Sequence, residues 1–238
     1  MRNIILGMSA IALAAVATPA LAEDDLGGFS VSGNAAITTD YRFRGVSLSK
    51  GDVAIQGGID LGHESGFYVG TWASSIEEDL GFGHTELDIY GGWSGDIAEG
   101  VTADIGVLYY AYPNAPDGDF DYWEPYASIG TTLGPVEATF GVAYAPDQDS
   151  LASQDNLYLY TDLGFGIPGV PLAFSGHLGY TDGVLSFDPD GTSWDWSLGA
   201  DYSITDNLSF GVMYTGVEGT HIDELTDDTV VATLSVSF

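Results

Sequence analysis

The sequence predicts an all-β fold, a transmembrane antiparallel β-barrel of about twelve strands. Three observations carry that prediction. Apolar and polar residues alternate over segments of roughly 9–11 residues, the length a tilted strand needs to cross a bilayer. The connections between them are alternately short and long. The last strand is amphipathic and ends on an aromatic residue: Val230, Ala232, Leu234, Val236 and Phe238 share one face, while Thr229, Thr233, Ser235 and Ser237 share the other with Val231. A soluble edge strand could end the same way, so the earlier elements have to agree.

They do, starting from the amino terminus. Met1-Arg2-Asn3 has one positive charge, Ile4 to Ala17 is apolar, and Ala20-Leu21-Ala22 has the A-x-A form of a cleavage site. Residues 1–22 therefore read as a removed Sec signal, with a single barrel domain over 23–238. The apolar run is too short for a spanning helix, which needs about 20 residues. Candidate strands follow at 29–41, 53–61, 67–75, 85–94, 101–110, 122–132, 136–145, 156–164, 172–181, 193–203, 207–215 and 228–238. His63 to Gly66, Gly134-Pro135, Gly166 to Gly169 and Thr205 to Asn207 are tight turns, and Gly95 to Gly100 is slightly longer. Segments 42–52, 76–84, 111–121, 146–155, 182–192 and 216–227 are longer loops. An even strand count returns both termini to the short-turn, periplasmic side.

Charge respects this alternation. In strand four Thr85, Leu87, Ile89, Gly91 and Trp93 oppose Glu86, Asp88 and Tyr90. In strand ten Trp194, Trp196, Leu198, Ala200 and Tyr202 oppose Asp195, Ser197, Asp201 and Ser203. In the better phase no strand carries charge on its apolar face, where lipid would make an ion cost several kcal/mol. Strand three is ambiguous: Phe67/Val69 and Tyr68/Trp72 are both plausible outward sets. Tyr41, Trp93, Tyr109, Trp123, Tyr144, Trp194, Tyr214 and Phe238 stand near strand ends and are expected in interfacial aromatic girdles. Pro125 removes a ladder donor from strand six, near its loop end.

The chain has 35 Asp and Glu against 4 Lys and Arg. After Arg2 the only Lys or Arg residues are Arg42, Arg44 and Lys50. Such acidity excludes nucleic acid, whose phosphates need basic clusters, and binding through anionic lipid headgroups. The absence of cysteine excludes thiolate metal sites and cysteine nucleophiles.

The closing strand with its carboxy-terminal Phe238 resembles the last strand of bacterial outer-membrane barrels, which implies recognition by the barrel-assembly machinery. Four blocks, Tyr41-Arg42-Phe43-Arg44-Gly45-Val46-Ser47, Gly66 to Ser74, Glu86 to Gly92 and Asp121 to Ala127, resemble the TorF family of porins. The resemblance covers essentially the whole mature chain. It implies a Gram-negative outer-membrane barrel with a channel role, in contact with lipid and lipopolysaccharide. It supplies no substrate and no catalytic residue.

Asp60, Glu86, Asp88, Asp104, Glu124, Glu137, Asp162, Asp195 and Asp201 point inward in the chosen phase. Acidic rings favour cations, so a conducting barrel is expected to prefer them and to pass small hydrophilic solutes. The same acids could instead form a paired network that fills the interior. Twelve strands enclose a lumen between the filled eight-strand barrel and the open 16–18-strand porin. Inward Tyr68, Tyr90, Tyr110, Tyr126, Tyr158 and Tyr160 are expected to narrow it further. One of Arg42 and Arg44 is expected to fold inward onto Glu86, Asp88 or Glu124, as a latch on the first loop or as one wall of a constriction. Lys50 reads as a solvated loop charge. The acidic loops could bridge divalent cations weakly or be solvated rims; no metal site and no cofactor is assigned. Non-conducting structural or adhesion barrels are the first alternative. A hydrolase is the second: His177, with Ser175 on its face and Asp162 on the neighbouring strand, is a poor constellation for it.

Overall fold

The computed structural model describes residues 27–116 and 120–238. The signal segment 1–22, the domain start at Glu23, Asp117 and Asp119 lie outside them. The described strands are β1 (Phe29–Thr38), β2 (Arg42–Phe43), β3 (Val46–Ser47), β4 (Ala54–His63), β5 (Phe67–Ser75), β6 (Thr85–Ala98), β7 (Val101–Ala111), β8 (Tyr122–Leu133), β9 (Val136–Gln148), β10 (Gln154–Gly166), β11 (Leu172–Gly183), β12 (Thr192–Ser203), β13 (Leu208–Glu218) and β14 (Thr229–Ser237). All but β2 and β3 close into one twelve-strand barrel, each strand antiparallel to its sequence neighbours and β14 returning to β1. Closure leaves no free sheet edge, the condition for a sheet in hydrocarbon.

The seam is fixed at the carboxy terminus. Gly33 and Phe238 exchange backbone hydrogen bonds of 2.8 and 2.9 Å. The Phe238 ring lies over Gly33, where a Cβ would stand 2.8 Å from Cε2. Gly33 is thus the small residue that lets the terminal ring cover the seam. At the turn end, Gly134 at φ 65° supplies the positive φ that a two-residue hairpin loop demands, and Pro135 fixes the position after it.

Two boundaries differ from the sequence expectation. β6 runs on to Ala98, with a register shift between Asp96 and Ala98, so its turn shrinks to Glu99-Gly100. β9 and β10 extend over most of 146–155, leaving only 149–153 as a loop. Both extensions follow a neighbour that keeps offering ladder partners. β1 ends early, at Thr38, because the chain then turns into the barrel.

Alternation is resolved everywhere. Ile55, Ile59, Phe67, Val69, Ile89, Ile105, Phe140, Leu163, Leu198 and Val230 are exposed on the outside. The third strand therefore turns Phe67 and Val69 outward, and Tyr68 and Trp72 inward. Trp194 and Tyr202 face out from opposite ends of β12, eight residues apart, which spans roughly 20 Å along the axis of a tilted strand. That separation is near the height of an outer-membrane apolar band. On the loop side, Tyr109, Tyr144 and Tyr214 donate to Asp121, Asp155 and Asp228 at 2.9, 2.9 and 3.4 Å. Each ring thus faces outward and each hydroxyl is held at the loop rim.

The β8–β9 pairing stops at Tyr126↔Ala143. Above it, Pro125 and Pro146 have no N–H to offer. The gap is bridged by the Gln148 side chain, whose Oε1 accepts from Trp123 N at 3.0 Å and whose Nε2 donates to Trp123 O at 3.1 Å. A side-chain amide stands in for the missing backbone rung.

Candidate functional site: the lumen and its inturned hairpin

The connection from β1 to β4 folds into the barrel. β2 and β3 pair through Arg42↔Ser47 and Phe43↔Val46, with Arg44-Gly45 as the two-residue tip. Both tip residues have positive φ, 49° and 80°, as a type I′ turn requires. Arginine is a poor residue for that conformation, at a cost of roughly 1–2 kcal/mol, so its side chain has to explain its presence. Gly45 is needed sterically too, since a Cβ there would meet Gly216 O and Val217 Cβ, each at 2.8 Å.

Arg44 reaches across the lumen. Its Nη2 donates to both Glu124 oxygens, at 2.8 and 2.7 Å. Its guanidinium stands 4.1 Å from the Tyr158 ring centroid and 4.7 Å from that of Phe43. Arg44 and Glu124 are both buried, so each neutralises a charge the other could not bear alone. Tyr41 OH donates to Glu86 Oε1 at 2.5 Å, and Tyr112 OH to Glu86 Oε2 at 2.8 Å. Tyr41 also packs edge-on against Trp72, and Phe43 against Tyr110. The hairpin thus touches the wall from β5 through β8 and again at β10, β12 and β13.

Asp40 organises the hairpin base. It accepts from Arg42 Nε at 2.5 Å, Ser47 Oγ at 2.5 Å and Ser49 Oγ at 3.0 Å. Arg42 Nη1 donates to the carbonyls of Gly45, Leu225 and Asp227 at 3.0, 3.1 and 3.0 Å. Of the two arginines, only Arg44 meets a wall carboxylate. Arg42 instead clamps the hairpin to the last loop, beside a mouth cavity of about 240 Å³ that Lys50, Glu224 and Asp227 also line. Lys50 is not simply solvated: its Nζ bonds Asp79 at 2.9 Å. Tyr41, expected in the membrane girdle, is instead 5% exposed inside the lumen. The chain turns inward at Asp40, and the hydroxyl finds Glu86 there.

The lumen is therefore unequal along its length. On the loop side Glu86, Asp88, Glu124, Tyr110, Tyr122 and Tyr158 are buried beneath the hairpin. On the turn side Asp60, Asp104, Glu137, Asp162 and Asp201 face the interior and stay partly exposed. Asp195 lies buried toward the loop end of β12, where its Oδ1 accepts from Tyr158 OH at 3.1 Å and sits 2.9 Å from His177 Nε2. His177 Nδ1 stands 2.5 Å from Asp162. Both ring nitrogens thus face carboxylates, the arrangement of an imidazolium that donates from each side.

The lumen tyrosines do not stand out from the wall. Tyr68 lies opposite Gly92, Tyr90 opposite Gly70, Tyr126 opposite Gly106, and Tyr160 opposite Gly141. At each glycine a Cβ would collide with the facing tyrosine. These four rings lie along the wall over the glycines, whereas Tyr110 and Tyr158 are buried beneath the hairpin. Tyr90 and Tyr68 then reach carboxylates, donating to Asp60 at 2.5 Å and Asp104 at 2.7 Å, and Tyr68 and Tyr126 bond each other.

Sequence reasoning missed Asp40, Tyr112, Gln148 and the glycines under the rings. Asp40, two residues before Arg42, was a usable signal; the tyrosine–glycine pairing needed the register. Among the described residues, no group of three or more His, Asp or Glu is placed to hold a metal ion.

A family profile described as "Bacterial protein of unknown function (Gcw_chp)" matches residues 22–238. The chain belongs to this family. No curated protein sequence matches it. Among solved structures, the NanC porin is similar over 88% of this chain and 99% of its own, at 10% identity and a TM-score of 0.59. The KdgM porin, solved in complex with disordered oligogalacturonate, is similar over 87% and 97%, at 7% identity and a TM-score of 0.58. At such identities the likeness is one of fold: this chain has the barrel architecture of those porins.

Proposed function

We propose that this protein is an outer-membrane channel of a Gram-negative bacterium, exported by a Sec signal, through which small hydrophilic solutes diffuse passively with cations preferred. The quoted sequence blocks support placing it with the TorF porins. The observation that carries the reading is the contrast between the two faces of the wall. Outside is an uncharged apolar band between aromatic rims; inside are Asp60, Glu86, Asp88, Asp104, Glu124, Glu137, Asp162, Asp195 and Asp201, against Arg44 and His177. Such a wall attracts cations and repels anions. Oligogalacturonate, the ligand of the KdgM complex, is a polyanion, so the shared fold does not bring a shared solute. The hairpin 39–53 is the constriction, and Arg44–Glu124 its latch; the latch and constriction roles thus coincide in one residue. Lipid and lipopolysaccharide surround the barrel, and the assembly machinery reads Phe238.

The test is single-channel recording of the refolded protein under a KCl gradient. A reversal potential favouring K⁺ is expected. Anion preference, or silence from a folded barrel whose hairpin has been released, rejects the channel reading. The seated hairpin is the observation that favours a non-conducting barrel instead, and the same recording decides between the two. A hydrolase is disfavoured by chemistry. His177 faces a carboxylate from both nitrogens, leaving none to take a proton from Ser175.

A further inference from the structure

The turn-side lumen combines two features. Tyr68, Tyr90, Tyr126 and Tyr160 each reach over a glycine of a neighbouring strand, so that the rings lie along the wall. Carboxylates stand at their rims: Asp104 beside Tyr68, and Asp60 beside Tyr90. Aromatic faces bordered by carboxylates attract a cation that has an organic body, because the ring quadrupole and the carboxylate act on the same charge. A small hydrated metal ion gains little from a ring face.

Two further observations point to the same ligand. The protein already places a guanidinium in such a setting, since Arg44 lies over the Tyr158 face while bonded to Glu124. Acceptors are also left over above the track, beneath the hairpin: Asp88 Oδ1 and Asp195 Oδ2 are buried without a donor among the described residues. Asp88 sits two residues from Tyr90 on the same inward face, and Asp195 meets the Tyr158 hydroxyl. The described Lys and Arg residues all belong to the hairpin segment, so none competes for the turn-side faces.

We infer that the turn-side lumen is a binding track for organic cations that carry a guanidinium or alkylammonium group, with Tyr68 and Tyr126 as its aromatic wall and Asp60 and Asp104 as its charges. This rests on the channel reading for its physiological direction, but binding itself does not require conduction.

The experiment is therefore calorimetric titration of the detergent-solubilised full-length barrel with methylguanidinium chloride, with N-methylurea as the uncharged control of equal shape and glucose as a neutral ring-stacking control. Saturable binding of methylguanidinium alone is expected. It should weaken about tenfold in Tyr68→Leu and in Tyr126→Leu, and persist in Tyr126→Phe, which keeps the ring. Folding of each variant is checked by its heat-dependent gel shift. Binding of N-methylurea or glucose equal to that of methylguanidinium overturns the inference, as does binding untouched in both folded leucine variants. A K⁺-selective channel that shows no saturable methylguanidinium binding overturns the track and leaves the channel standing. A silent barrel that binds it saturably does the reverse.

Discussion

Arg44 is the hairpin's one ionic tie to the barrel wall among the described residues. It sits in a left-handed conformation that favours glycine, and it has a buried carboxylate as its counter-ion. Removing one partner of a buried pair costs about 3–5 kcal/mol, because the other charge is left unpaired. Arg44→Ala is thus expected to lower the thermal midpoint and to raise single-channel conductance. Replacing both partners, as Arg44→Ala with Glu124→Leu, should recover part of the stability while keeping the larger conductance. A conductance unchanged in either variant would show that the hairpin does not limit flow. At the rim, the hydrogen bond between Lys50 and Asp79 raises the lysine pKa and lowers the aspartate pKa. The aspartate's contribution is present above its unfolded pKa and lost as pH falls through the folded value. The lysine's is complete below its unfolded pKa and lost as pH rises through the folded value. The tie therefore holds between the two ranges, and Lys50→Ala should flatten any pH dependence of rim proteolysis at both ends. Asp79 is exposed and Lys50 partly so, so high salt should also weaken the tie.

At the scale of the element, the strands were legible because a lipid-facing wall enforces strict alternation, and charge marks the inner face without ambiguity. Glu86 and Asp88 on β6, or Asp195 and Asp201 on β12, needed no structure to be turned inward. The hairpin could not be read in the same way. Tyr41 and Phe43 look like rim aromatics, and only the partners Glu86, Trp72 and Tyr110 on distant strands draw them inside. Nor could the tyrosine rings be placed, since their direction depends on which residue stands across the ladder. Gly141 is the sharpest case: a side chain there would overlap the Tyr160 ring. Gly141→Val is expected to force that ring off the wall and reduce conductance, while Gly100→Ala, at an open turn, should leave conductance unchanged. Gln148 shows a second device invisible in sequence. With Pro125 and Pro146 unable to donate, its amide is the described bridge between the upper ends of β8 and β9. Gln148→Ala should cost about 0.5–1.5 kcal/mol, the worth of an ordinary hydrogen bond, and should speed amide exchange at Trp123 before any other part of the wall. Gln148→Glu keeps the acceptor alone and should fall between.

At the scale of the molecule, a closed barrel, a net-acidic interior and an apolar exterior act together. The turn-side acids are tolerable because they stay partly exposed to the lumen, and Glu86 and Glu124 at the loop end because they accept from Tyr41, Tyr112 and Arg44; the same acids on the outer face would prevent insertion. Deleting Phe238 removes both the ring over Gly33 and two backbone hydrogen bonds at the β1–β14 seam. Such a chain is expected to lose its heat-modifiable band in outer-membrane fractions, whereas Phe238→Tyr, which keeps an aromatic end, should retain it.

The hairpin also has a consequence in time. It belongs to the first connection of the chain, yet Glu124 lies 80 residues downstream of Arg44, and the carbonyls that clamp Arg42 lie 183 and 185 residues downstream. Contacts so distant in sequence form late. A newly made chain can therefore seat Tyr41 and Phe43 on β5–β7 first, but the Arg42 clamp closes only when the last loop has arrived beside the first. Protection of the hairpin's amides is a clock for that event: it is complete when the last strand meets the first.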